Sequence, residues 1–175
     1  VNATFTFQGE TAGAQAWSSF DTYLAPFVRS DKLDDVALEQ MIYDFIFNLN
    51  VATRSGFQCP FSNITLDIHC PNTLRDVPVL IGGEIQTTTY GDYQTEMERL
   101  DLAFCKAMLK GDSQGRVFSF PIPTINITRE TDWRSPVMTQ IVNMAAKYGI
   151  PYFANFLTSD LNPVGALPPS QRPVF

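Results

Sequence analysis

The period of the apolar positions changes several times along the chain, and each change marks an element. From Val1 to Gln8 they alternate, with Val1, Ala3, Phe5 and Phe7 on one side and Asn2, Thr4, Thr6 and Gln8 on the other, which predicts a strand ended by Gly9. A helix is expected from about Ala12 to Leu24, stopped by Pro26, because proline lacks a backbone donor and restricts the residue before it. Asp34 or Asp35 is placed to cap a second helix with a core stripe of Val36, Met41, Ile42, Phe45, Ile46 and Leu49.

Alternation returns at Phe61 to Ile68, where Ile64, Leu66 and Ile68 face one way and Asn63, Thr65 and Asp67 the other. A loop rich in proline, glycine and threonine is expected to run from there to Tyr90. Asp92 is placed to cap a long helix to about Lys110, with Met97, Leu100, Phe104 and Met108 buried and Gly111 closing it. Val117 to Thr128 reads as a strand. Ser135 and Pro136 open a helix through Lys147 that Gly149 stops, and Tyr152 to Leu157 reads as a final strand. The order of elements predicts an α/β protein with mostly parallel neighbours. Residues 162–175, with Pro163, Pro168, Pro169 and Pro173, show no periodicity and are expected to form an irregular tail after a domain over 1–161.

Two segments are spelled almost alike, CPFSNIT from Cys59 and IPTINIT from Ile122. Their Asn and Thr positions, with Asn2, Thr4 and Thr6, would form polar rows opposite rows of Ile, Leu and Phe. If the strands close toward a barrel, those rows line its interior and offer uncharged donors and acceptors suited to sugar hydroxyls. An open antiparallel sheet with one wet face explains the same alternation. The intervening helices favour the barrel.

With 175 residues, 45% of them hydrophobic, one domain can bury about 70% of its unfolded surface. A net charge of -6 without a dense basic run argues against binding a nucleic-acid polymer. No span of about 20 apolar residues exists to cross a bilayer. Cys59, Cys70 and Cys105 match no zinc, redox or disulfide spacing and read as reduced thiols, which points to the cytoplasm. Three N-x-[ST] tripeptides, at Asn2, Asn63 and Asn126, are the counter-signal, but each sits in an apolar run expected to be a strand. The opening VNATFTFQGE lacks the charged and apolar regions of a signal peptide.

Candidate chemistry is sparse. The small residues of GETAGAQA, at an expected strand-to-helix junction, make Gly9, Thr11 and Gly13 phosphate-binding candidates through free helix-start N–H groups. Cys59 precedes the polar-lined strand and could face the same cavity, while Cys105 reads as packing and His69 as a surface side chain. No nucleophile–base set and no metal shell can be assembled, so neither a catalytic residue nor a metal ligand is assigned.

Taken together, GETAGAQAWSSFDTYLAPFVR, FIFNLNVATRSGFQCPFSNITLD, VPVLIGGEIQ, GRVFSFPIPTINIT and KYGIPYFANFLTSDLNP resemble anaerobic (class III) ribonucleoside-triphosphate reductase, collinearly from about Gly9 to Pro163. The resemblance implies part of a ten-stranded α/β barrel with covering helices. It also implies glycyl-radical reduction of ribonucleoside triphosphates to deoxyribonucleoside triphosphates, nucleotide effectors, a homodimer and an activating radical-SAM protein. The reactive cysteines, the radical glycine and the zinc site of that family correspond to no position here, so the chain reads as a fragment or truncated relative. On the barrel reading, Gln58, Asn63, Asn126 and Thr128 are expected to line the substrate side. A non-catalytic nucleotide-binding or dimerisation module is the alternative.

Overall fold

The computed structural model describes residues 1–10, 13–51 and 59–158, with backbone alone at Gly9 and Glu10. Its centre is a parallel sheet of four strands: β1 (Ala14–Trp17), β2 (Phe61–Leu66), β5 (Ile122–Ile127) and β6 (Tyr152–Asn155), in the order β1-β2-β5-β6. Parallel neighbours need long crossovers, and helices supply them. These are α2 (Phe20–Ser30) and α3 (Asp35–Leu49) between β1 and β2, α5 (Gln94–Lys110) before β5, and α6 (Pro136–Tyr148) before β6.

Register decides which side chains meet the helices. Ile64 pairs with Pro123 and Leu66 with Ile125, so these residues share a face with Ile127. All four aliphatic side chains are buried in one cluster with Ile42 and Ile46 of α3, Leu100, Phe104 and Met108 of α5, and Met138 and Ile141 of α6. Trp17 of β1 lies on the same face and meets Phe45 edge-on at 5.9 Å. Completely burying an aliphatic or phenyl side chain contributes about 1.5–3 kcal/mol, so this layer is the main source of stability.

Local signals account for the later helices. Asp34 Oδ1 accepts from the Ala37 N–H at 2.8 Å, as an N-cap should, and Ser135 Oγ accepts from the Met138 N–H at 3.1 Å. Met97, Leu100, Phe104 and Met108 are all fully buried, as the stripe predicts. Gly111 ends α5 with φ of +71°, and a Cβ there would lie 2.3 Å from the Arg116 carbonyl oxygen, so only glycine fits. In α3 the core face is Leu38, Ile42, Ile46 and Leu49; Val36, at 78% exposed, and Met41 lie off it.

The amino-terminal third departs from expectation. Asn2–Glu10 is a helix, α1, not a strand, and its first residues bond i to i−4, Phe5 N–H to the Val1 carbonyl at 3.1 Å and Thr6 Oγ1 to the Asn2 carbonyl at 3.2 Å. The place beside β2 is taken by Ala14–Trp17, and α1 satisfies its own backbone groups instead of pairing. The helix expected from Ala12 to Leu24 is therefore strand β1 followed by α2. Because α2 starts only at Phe20, Pro26 falls inside it, buried, and costs it one intrahelical donor. Asn2 thus sits on a helix, whereas Asn63 and Asn126 are on strands.

The expected loop to Tyr90 is also structured. It holds a short helix α4 (Asn72–Arg75) and a hairpin of β3 (Pro78–Ile81) and β4 (Glu84–Thr89). Gly82 and Gly83, with φ of +62° and +86°, form the two-residue turn whose twist suits a hairpin. The hairpin packs Val79 with Ala25, Leu74, Tyr90, Tyr93 and Met97 in a second, smaller core. Arg29 ties that region to α5, its guanidinium meeting Glu96 through two hydrogen bonds of 2.8 and 2.7 Å.

Candidate functional site

The four described helices that cover the sheet pack on one face of it, and the other face is open among the described residues. Ala14 and Ala16 of β1, Phe61, Asn63 and Thr65 of β2, Ile122 and Thr124 of β5, and Tyr152 and Ala154 of β6 project there by register. None of these nine is fully buried, and Phe61 and Tyr152 are 51% and 68% exposed. One-sided covering of this kind is consistent with a barrel wall, in which helices lie outside and polar residues within. The asparagines of the two N-I-T segments point to this same side, as the alternation predicts. Asn63 is half-buried and Asn126 buried.

The row is hydrogen-bonded along its length. Asn63 Nδ2 donates to Thr124 Oγ1 at 3.1 Å across the β2–β5 pair. Further toward the carboxyl ends, four positions past Asn63 and two past Thr124, Asn126 Nδ2 donates to Asp67 Oδ1 at 2.6 Å, and Thr22 Oγ1 donates to Asp67 Oδ2 at 2.8 Å. Asp21, in the first turn of α2, accepts the Asp67 N–H at 3.0 and 2.9 Å and the Ile68 N–H at 2.8 Å. The exit of β2 is thereby held by the start of α2, at the end of a parallel sheet where ligands of α/β folds bind.

Electrostatics single out this end of the sheet. Burial, and then the nearby Asp67 charge, push the Asp21 carboxyl up to about 7, while three backbone N–H bonds pull it back. Burial also raises Asp67, opposed by the Ser19 hydroxyl and by its bonds from Thr22 and Asn126. Asp101 of α5 is fully buried; both its oxygens lack a hydrogen-bond partner among the described residues, and burial followed by the Asp21 and Asp67 charges raise it well above the carboxylate range. A carboxyl so placed is favoured in its neutral form.

The remaining candidates separate. Gln58 and Thr11 lie outside the described residues. Gly9 falls within α1 and Gly13 just before β1, and the helix start on which the phosphate argument depended comes only at Phe20. Thr128 lies just beyond β5, half-buried, its backbone N–H bonded to Thr131 Oγ1 at 2.9 Å. Cys59 lies ahead of β2, its thiol 3.2 Å from the Asn50 carbonyl oxygen, and the bond ties it to the end of α3. Cys105 is buried beside the α5 stripe as expected, and burial raises the Cys70 thiol to about 11. His69 is partly exposed and contacts Glu130 Oε2 at 3.3 Å.

Among the described residues no three His, Cys, Asp or Glu side chains are placed to hold a metal ion. An open pocket of about 510 Å³, lined by Phe47, Asn50, Arg116 and Phe118 among others, lies at the opposite, amino ends of the strands. Asp67 and its partners Asp21 and Thr22 were not among the sequence candidates. Asp67 does share the polar parity of Asn63, but nothing in the spacing shows that α2 reaches it.

Comparison with known proteins agrees with this architecture. Two crystal structures of the anaerobic ribonucleotide reductase from Thermotoga maritima, one with citrate and one with glycerol in the active site, are similar to it. They have TM-scores of 0.65 and 0.62 at 17% and 18% identity, each over 88% of this chain. This chain spans 29% and 26% of the chains in those two structures, less than a third of either. No curated protein sequence matches. Among the described residues no helix is long and apolar enough to cross a membrane. The family model of the anaerobic ribonucleoside-triphosphate reductase matches residues 1–168, nearly the whole sequence, and the chain belongs to that family.

Proposed function

We propose that this chain forms a section of the nucleotide-facing wall of an anaerobic ribonucleotide reductase barrel. The observation that carries the reading is the one-sided sheet: an apolar face packed under helices, and an open face bearing Asn63, Thr65 and Thr124 beside Phe61 and Tyr152. Amide and hydroxyl groups there match the donors and acceptors of a ribose, and an exposed ring offers a stacking surface for a base. Asn63, Asn126, Thr128 and Gln58 are the side chains proposed to meet the nucleotide.

On this reading the whole protein reduces ribonucleoside triphosphates to deoxyribonucleoside triphosphates in the cytoplasm. A glycyl radical and zinc site elsewhere in it, an activating radical-SAM partner, nucleotide effectors and a homodimer belong to the same proposal. The residues of this chain would bind and orient the sugar, and the radical would supply the reducing chemistry when present.

Calorimetry of the chain with the four ribonucleoside triphosphates and their deoxy forms tests the binding part. Saturable heat with at least one, weakened by Asn63→Ala, is expected. Absence of heat with all of them would remove the nucleotide role.

A further inference from the structure

We propose that Asp67 is a positioning residue that fixes the polarity of the Asn126 amide, and thereby makes this point of the open face an acceptor for a ligand's hydrogen-bond donor. The inference rests on the nucleotide reading above and deepens it.

The argument is one of donor and acceptor inventory. An amide can turn over, exchanging its oxygen and its NH2 group, unless a neighbour accepts only or donates only. An ionised carboxylate accepts only, and in an acid protonated at Oδ2 the other oxygen, Oδ1, is a carbonyl that still accepts only. Asn126 lies across the sheet from Asp67, its Nδ2 at 2.6 Å from Asp67 Oδ1, so the NH2 group must face Asp67 and the carbonyl must face elsewhere. Asp67 cannot swing to release it. Thr22 Oγ1 holds its other oxygen at 2.8 Å, and Asp21 holds its backbone N–H and that of Ile68. Asn126 is 2% exposed, which confines the amide further.

Asn63 provides the contrast. Its partner is the Thr124 hydroxyl, 3.1 Å away, which donates or accepts equally well and fixes nothing. The open face therefore carries one adaptable amide and one whose sense is set from behind. The donor that a fixed carbonyl accepts is a sugar hydroxyl or an exocyclic base amine.

Asp67→Asn is the test, because it keeps the shape and still bonds Asn126, but in either sense. In the wild-type chain the Asn126 side-chain amide should show a deshielded, exchange-protected proton by NMR, and Asp67→Asn should lose it while Thr22→Val retains it. Calorimetry with ATP, 2′-deoxy-ATP, CTP and UTP should then show about a tenfold fall in discrimination for Asp67→Asn. A loss confined to the ATP and 2′-deoxy-ATP pair assigns the donor to the sugar; a loss confined to CTP and UTP assigns it to the base amine. Unchanged discrimination in both pairs, with the wild type binding, would overturn the inference. If the wild type binds no nucleotide, the functional reading falls; a protected amide in that sample would still support the fixed polarity, and an Asn126 amide exchanging as freely as in Asp67→Asn would overturn it.

Discussion

Asn63-Ile64-Thr65 and Asn126-Ile127-Thr128 have the same spelling and opposite circumstances. Both send isoleucine into the helix-covered core and asparagine to the open face, yet Asn63 is half-buried beside a hydroxyl while Asn126 is buried against a carboxylate. The difference comes from register. Asn63 pairs with Ile122 near the start of β5, whereas Asn126 lies four positions further on, where the first turn of α2 closes over the sheet. A short repeat fixes which face a side chain takes, and its depth along the sheet fixes what surrounds it.

Substitutions should separate the two sites by size of effect. The largest is expected for Asp67→Ala, which leaves the Asn126 amide and the Thr22 hydroxyl buried without their acceptor. Relief of repulsion with Asp21 offsets part of this, and a net loss of about 2–4 kcal/mol is expected. Denaturant unfolding checks it, and a loss no larger than that of Asn63→Ala would erase the contrast. Asn126→Ala should follow at about 2 kcal/mol, since Asp67 keeps Thr22 but loses one donor. For a chain of this size each kcal/mol shifts the melting temperature by about 2–4 °C, well within thermal-melt resolution.

The buried carboxyls add a pH dependence with a definite sign. The folded state raises Asp21, Asp67 and Asp101 above their ordinary values, so it binds more protons than the unfolded chain. Their contribution is therefore fully present below the unfolded carboxyl pKa of about 4 and is lost as pH rises, for Asp21 through about 7. Melts at a series of pH values should show stability falling from mildly acidic to neutral solution. Asp101→Asn, which removes an unpartnered carboxyl, should raise stability at pH 8 by about 1 kcal/mol and flatten that slope. A chain that gains stability from pH 5 to pH 8 would contradict the assignment. The smallest effect is expected at the half-buried site: Asn63→Ala should cost less than about 1 kcal/mol, and its consequence should appear in nucleotide binding.

Much of the architecture was legible where local chemistry is strong. The Asp34 and Ser135 caps, the α5 stripe, the Gly111 and Gly149 stops and the alternation of β2 and β5 depend on neighbours within a few residues. The hairpin was missed: Gly82-Gly83 between apolar runs is its turn signal, but the composition of the segment reads as loop. What misled was the amino terminus. The alternation of Val1 to Gln8 scores as a strand, but strand formation requires a partner, and Ala14–Trp17 holds the place beside β2.

By itself the sequence determined the α/β class, the approximate bounds of α3, α5 and α6, the two faces of β2 and β5 and the family, because periodicity, caps and long motifs are written in contiguous residues. Only the tertiary structure decided that helices cover one face and leave the other open. It alone brought Asp21 and Thr22 of α2, Asp67 at the end of β2 and Asn126 of β5 together. The physical reason is register: which residues of distant segments stand opposite one another depends on packing the whole layer, and a one-residue slip would turn every one of these side chains to the wrong face.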